Sequence, residues 1–292
     1  MRVALVQLCS SDDPAANLRV TEDLVRRAAD GGPSLVVTPE VTNIVSSSRA
    51  RQKAMLRHEE DDPTLARLRD IAAERGIWLV IGSLAILTHD EDGRFANRSF
   101  LIAPDGGIAA RYDKIHMFDV ALEKGESYHE SAAFRPGTEA VIADLPEARL
   151  GLTICYDMRF AALYRVLAQE GADIITVPAA FTVPTGRAHW QTLLRARAIE
   201  TGCFVLAAAQ SGHHVTTEGP DRRTYGHSLI VGPWGEIIAE APDGPGVIFG
   251  ELDLTEVAKV RDMVPQLRHD RSFARPGAQG PASHGSTDRA TS

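Results

Sequence analysis

Cysteine is scarce in these 292 residues: only Cys9, Cys155 and Cys203 occur. An odd, widely spaced set is no disulfide framework and suits a reducing compartment. Basic charge is also in the minority, with 31 Lys and Arg against 39 Asp and Glu and a formal net charge of -8. That balance argues against a phosphate backbone or an anionic membrane as the main partner. No segment approaches the roughly 18 uninterrupted apolar residues of a membrane span, and Met1 runs directly into RVALVQL with no signal-type region. The chain reads as cytoplasmic, binding neither nucleic acid nor membrane. Common catalytic signatures are missing too. Ten histidines form no HExxH motif and the cysteines no CxxC pair, so no metal site is expected. No GxSxG elbow marks a serine hydrolase.

What is present is ample apolar sequence, 44% of the chain, enough for a sizeable core. Short Val, Ile and Leu runs (VALVQL, SLVVTPE, WLVIGSLAIL, RSFLIAPDG, RLGLTIC, ADIITVP, CFVLAAAQ, HSLIVGP, GVIFGEL) read as buried strands. Helical periodicity falls over residues 15–30, 63–75, 160–170 and 187–201. Two segments read as hairpins turning at Asp105-Gly106-Gly107 and at Pro233-Trp234-Gly235. Helices outside and mixed sheets inside give a layered α/β domain over residues 1–270. Gly212 to Tyr225 reads as a long loop. Residues 276–292 are small and polar and are expected to be a disordered tail.

The strongest local feature is RLGLTICYDMRF, where a buried strand ends at Cys155 and a helix starts near Arg159 or Phe160. A thiol at such a turn sits in the positive field of a helix start, which is expected to lower its pKa. The N–H of Tyr156 is a natural oxyanion donor. Taken alone, a cysteine is more often a small core residue, and that reading is kept for Cys9 and Cys203. Glu40 closes SLVVTPE at a strand end, where ligands of open α/β sheets collect and carboxylates act as general bases. Lys114, in RYDKIHMF, follows a hairpin strand whose apolar neighbours are unlike a solvated face. Held near a carbonyl, it would stabilise an oxyanion.

Glu40, Lys114 and Cys155, in that order and in those contexts, resemble the nitrilase superfamily of carbon–nitrogen hydrolases, over residues 1 to about 267. The resemblance implies a Glu-Lys-Cys triad on an α-β-β-α sandwich with mixed sheets, dimerising into an αββα-αββα stack. It also implies a second glutamate, here Glu130 in YHESAAFRPG, that positions the lysine and the substrate. The stretch FTVPTGRAHWQTLLRARAIETGCFVLAAAQSG, with TYGHSLIVGPWGEII, is similar to the Nit1 or deaminated glutathione amidase branch, whose neighbour is the ω-amidase branch. Phe181 heads that stretch and joins Tyr156, Arg159 and Arg187 as oxyanion or substrate contacts. His189, Trp190, Arg195, Arg197 and Glu200 read as structural, some of them at a dimer interface. Ala161-Ala162 and Gln191 depart from the Pro-Glu and Glu common among relatives.

The chemistry implied is hydrolysis of a small carboxylate-bearing amide through a cysteine thioester, giving acid and ammonia without metal or organic cofactor. Arg159, Arg187, Arg222 and Arg223 are candidates to pair with the carboxylate. The alternatives are a nitrilase or N-carbamoyl amide hydrolase of the same fold, or a catalytically silent binding protein.

Overall fold

The computed structural model describes residues 1–121 and 127–273. The tail expected from Pro276 onward lies outside the described residues. Two six-stranded sheets form the centre. The first has β16 (Gly246–Glu251), β1 (Arg2–Gln7), β2 (Leu35–Val37), β3 (Trp78–Ile86), β4 (Ala96–Ile102) and β5 (Ile108–Asp113) in that order. The second runs β15 (Ile237–Glu240), β14 (Leu229–Val231), β11 (Phe204–Ala207), β10 (Ile174–Thr176), β9 (Arg149–Leu152) and β8 (Val141–Asp144). Each has a parallel trio, β1-β2-β3 or β9-β10-β11, extended on both sides by antiparallel strands. Both sheets are therefore mixed, and both predicted hairpins are present.

Side chains that alternate along a strand face opposite sides of its sheet. Val3, Leu5, Leu35, Val37 and Val80 join the core that includes the second sheet, whereas Ala4, Val6, Val36, Leu79 and Ile81 meet the outer helices. Those helices are α1 (Pro14–Asp30) and α3 (Pro63–Arg75). The Asp13 and Asp62 carboxylates cap them, each with proline in the first turn. On the far side, α4 (Ala161–Gln169) and α5 (Val183–Thr201) cover the second sheet, with α6 (Thr255–Met263) near the end of the described chain. A short helix, α2 (Arg49–Met55), precedes α3. The layers are α-β-β-α.

Three readings change. The 187–201 helix begins four residues earlier, at Val183, because Pro184 fits the first turn. Gly212 to Tyr225 is not a loop but a hairpin, β12 (Ser211–His214) against β13 (Arg222–Tyr225). Its strands are too polar to read as buried runs. Cys9 is half-buried, its Sγ 3.4 Å from the His213 carbonyl oxygen, so it is no core filler. Cys203 is fully buried. A further small ribbon pairs β6 (Asp119–Ala121) with β7 (Ser127–His129).

Candidate active site

The carboxyl ends of the two parallel trios meet along one edge of the sandwich. There Leu8 pairs with Gln210 and Ala179 with Ala209. Glu40 follows β2, Cys155 follows β9, Ala180 follows β10 and Gln210 follows β11, the position where open α/β sheets bind ligands. Lys114 directly follows β5, at that sheet's rim. A cavity of about 880 Å³ opens over this edge, and Glu40, Lys114, Glu130 and Cys155 lie in its wall.

Lys114 Nζ donates to Glu40 Oε1 at 2.7 Å and to both Glu130 oxygens at 2.9 Å. Lys114 is 1% exposed and Glu40 4%, so this is a desolvated ion cluster that needs full hydrogen bonding. Asn97 supplies part of it, its Nδ2 donating to Glu40 Oε1 at 3.0 Å and to Glu130 Oε1 at 3.2 Å. Backbone N–H groups complete it: Ala180 donates to Glu40 Oε2 at 2.9 Å, and Phe118 to Glu130 Oε2 at 2.6 Å. Glu130 opens a one-turn 3₁₀ helix, Glu130–Ala132. Burial works against the Glu40 charge, but Lys114 and a hydrogen bond from Cys155 hold its carboxyl below the usual range. Burial also opposes the Lys114 charge, yet Glu130 and Glu40 keep the ammonium above its usual range.

Cys155 lies three residues beyond the end of β9, at the head of a 3₁₀ turn through Arg159, and α4 starts only at Ala161. Its φ of 50 is in the left-handed region, costly for a side-chain-bearing residue. The strain is held by the Cys155 N–H donating to the Pro178 carbonyl at 2.9 Å and by Asp157. Asp157 is fully buried. Its Oδ2 accepts from the Ile154 N–H (2.8 Å) and the Tyr112 hydroxyl (2.6 Å), and its Oδ1 lies 3.0 Å from the His116 N and 2.7 Å from Nδ1. One carboxylate thus joins the turn carrying the thiol to both flanks of Lys114. The thiol pKa moves opposite to the expectation. Burial and the Glu40 charge push it well above its ordinary value, with Lys114 opposing, so the helix-start field is outweighed.

The structure brings Glu40, Lys114, Glu130 and Cys155 together, with Tyr156 and Phe181 also in the cavity wall. Tyr156 N–H belongs to the first turn after Cys155, where helix amides lack intrahelical partners. Arg159 and Arg187 are not in the wall. The Arg159 guanidinium lies over the Tyr156 and Phe181 rings, 5.7 and 5.4 Å from their centroids, and Arg187 is exposed on α5. Arg222 and Arg223 do line the cavity. Asn97, Asp157 and Gln210 were not read as site residues. Asn97 sits on β4 beside Arg98 and Ser99, so the sequence ANRSFLI gives it no mark that separates it from its polar neighbours. Trp190 and Arg197 are structural: Trp190 Nε1 donates to the His227 carbonyl and Arg197 Nε to the Met158 carbonyl, each at 2.7 Å.

A carboxylate, an ammonium and a thiol gathered at the joined strand ends of an α-β-β-α sandwich define a class, and comparison with known proteins agrees with it. Residues 2–262 match the carbon-nitrogen hydrolase family, and the chain belongs to that family. It is 40% identical over 270 residues to a deaminated glutathione amidase of Yersinia enterocolitica, covering 92% of each chain. Among solved structures it superposes on Saccharomyces cerevisiae Nit3, a member of branch 10 of the nitrilase superfamily, with a TM-score of 0.79, 31% identity and coverage of 91% and 94%. An amidase from Nesterenkonia sp. AN1, with the acetamide moiety of fluoroacetamide covalently added at its active-site cysteine, matches with a TM-score of 0.73, 28% identity and coverage of 89% and 92%.

Proposed function

We propose that the protein hydrolyses the amide of a small carboxylate-bearing substrate of the deaminated-glutathione type through a thioester on Cys155. The observation that carries this reading is the buried contact of Lys114 with Glu40 and Glu130 beside the Cys155 thiol. Because the thiol is held protonated, attack needs a base in place. Glu40 takes the proton as sulfur bonds to the amide carbon, and the carbonyl electron pair moves to oxygen. Lys114 and the Tyr156 N–H hold that oxyanion. Glu40 passes its proton to the nitrogen, the C–N bond breaks and the amine leaves. Water then loses a proton to Glu40, adds to the thioester and releases the acid, while the proton returns to sulfur. Glu130 and Asn97 keep Lys114 aimed. No step calls for a metal or an organic cofactor.

The relatives named deaminated glutathione amidase and a cavity of about 880 Å³ support a substrate larger than a simple amide. The leaving group then differs from the ammonia expected of a primary amide: hydrolysing deaminated glutathione at that bond frees cysteinylglycine. The test is product release across deaminated glutathione, α-ketoglutaramate, succinamate, a plain aliphatic amide, an N-carbamoyl compound and a nitrile. Deaminated glutathione should lead, and Cys155→Ala should lose at least about a thousandfold in rate. Preference for the nitrile or the carbamoyl compound, or wild-type turnover by Cys155→Ala, defeats the reading. A silent binding protein would turn over none of them.

The same proposal includes a homodimer and a cytoplasmic location. Among the described residues, Ile199, Trp234 and Val264 are exposed around α5 and the β14–β15 turn, an apolar surface that a second copy would cover. Light scattering should give twice the mass of one chain. No described helix is long and apolar enough to cross a membrane, the three thiols are free, and cell fractionation checks the location.

A further inference from the structure

We infer that Arg222 is the receptor for the carboxylate on the acyl half of the substrate, the half that becomes bonded to Cys155. The inference rests on the amidase reading above. A carboxylate entering this cavity meets Glu40 and Glu130 against one Lys114, so its desolvation needs another cation. Among the described residues the wall offers few: Lys114 is engaged by two glutamates, His213 Nε2 lies 2.8 Å from Asp221 Oδ2, and His129 and Arg223 are exposed.

Arg222 differs from these. Its guanidinium is part-buried, and its Nε is buried yet donates to nothing among the described residues. A buried donor without a partner is costly, and a substrate oxygen would relieve it. The guanidinium carbon stands 5.8 Å from the Tyr128 ring centroid, and Arg222 and Tyr128 both line the cavity. Such a planar fork suits bidentate binding of a carboxylate.

Its placement also fits the acyl half. Arg222 Nη2 donates to the Ala180 carbonyl at 2.6 Å, while the Ala180 N–H donates to Glu40 Oε2. Guanidinium and general base therefore flank a single residue, so a short acyl chain spans from the fork to the thiol. Arg222 also helps keep Glu40 ionised. The backbone is pinned on both sides: β13 pairs with β12, and the Tyr225 N–H donates to the Phe181 carbonyl at 2.9 Å.

The test compares glutaramate with pentanamide, an uncharged amide of equal chain length, in the wild type, Arg222→Gln and Arg222→Lys. For Arg222→Gln the ratio of kcat/KM for the carboxylate over the neutral amide should fall about 10- to 100-fold, chiefly through KM. Arg222→Lys should keep part of it, as a point charge without the fork. If both substrates lose by the same factor in both variants, Arg222 is only a strut for Ala180 and Glu40, and the inference is overturned. An unchanged ratio overturns it equally. A wild-type protein that turns over deaminated glutathione but not glutaramate overturns the inference, because the acyl-half carboxylate then confers no recognition. One inert toward both amides and deaminated glutathione instead defeats the amidase reading, and Arg222 falls with it.

Discussion

Asp157→Asn is a nearly isosteric change that removes one charge and half of the acceptors at the hinge between thiol and lysine. Each carboxylate oxygen serves one backbone N–H, that of Ile154 on one side and of His116 on the other. An amide has a single oxygen. With the oxygen toward Ile154, the His116 ring can change tautomer but the His116 N–H is orphaned. With the amide reversed, the Tyr112 hydroxyl can rotate but the Ile154 N–H is orphaned. Either way one buried backbone donor loses its partner, which costs about 1–3 kcal/mol, and the remaining bonds lose their charge assistance at roughly 1 kcal/mol or more. The sum, about 2–5 kcal/mol, lowers the melting temperature by roughly 4–9 °C for a domain of this size. Calorimetry reads it directly, and Tyr112→Phe, which removes one donor and leaves the charge, should shift far less. Because the Cys155 backbone is strained, kcat should drop as well while KM holds. A melting temperature for Asp157→Asn within about 2 °C of the wild type would refute the hinge.

Two further outcomes follow from geometry and charge. A Cβ added at Gly82 would stand 1.9 Å from the Thr38 carbonyl oxygen and 2.5 Å from Pro178 Cβ, where the turn leading to Glu40 meets the segment that accepts the Cys155 N–H. Gly82→Ala should therefore cost about 1–3 kcal/mol in a denaturant melt and lower kcat through a displaced Glu40; an unchanged kcat would show that the turn yields without moving the base. The Cys155 thiol is pushed above its ordinary value of 9.0. As pH rises past about 9 the unfolded thiol ionises first, the unfolded chain holds fewer protons, and stability falls. Cys155→Ala should remove one share of the decline between pH 9 and 10, leaving the shares of Cys9 and Cys203, which are also raised, and the onset of those of Tyr112 and Tyr164, which burial pushes above their ordinary 10.0. Lys114 does not blur that window: its folded value is raised, so its contribution is lost only above its ordinary 10.5. An identical decline in both proteins would show that Cys155 ionises as easily folded as unfolded.

Strands buried on both faces leave continuous apolar runs, so VALVQL, ADIITVP and CFVLAAAQ were legible as strands. The helix over residues 15–30 and the two Gly-containing turns were legible for similar local reasons. Glu40, Lys114 and Cys155 were legible because each closes or follows such a run. Other features depend on contacts that no local pattern encodes. His213 and His214 lie in a strand whose ladder partner among the described residues is Arg222–Tyr225. Asp157 looks like the polar start of a helix until Tyr112 and His116 arrive from more than forty residues upstream. The direction of the Cys155 shift was misread because the helix-start field is local, whereas burial and Glu40 come from the other sheet. Arg159 and Arg187 were read by charge type, and only the fold shows that rings or solvent take them.

The closure of the first sheet links the beginning of the described chain to its end. Strand β1 lies between β2 and β16, and the Met1 amino group donates to the Leu252 carbonyl at 2.9 Å. On the ribosome, one edge of β1 stays unpaired until Gly246–Glu251 has been made, a delay of roughly 12–50 s at usual synthesis rates. Throughout that interval a strand that is apolar from Val3 to Val6 offers an open ladder to any passing chain. The thiol, lysine and glutamates are all made while that edge is still open, so the last strand of the sandwich, which carries none of them, sets when the nascent protein stops being vulnerable.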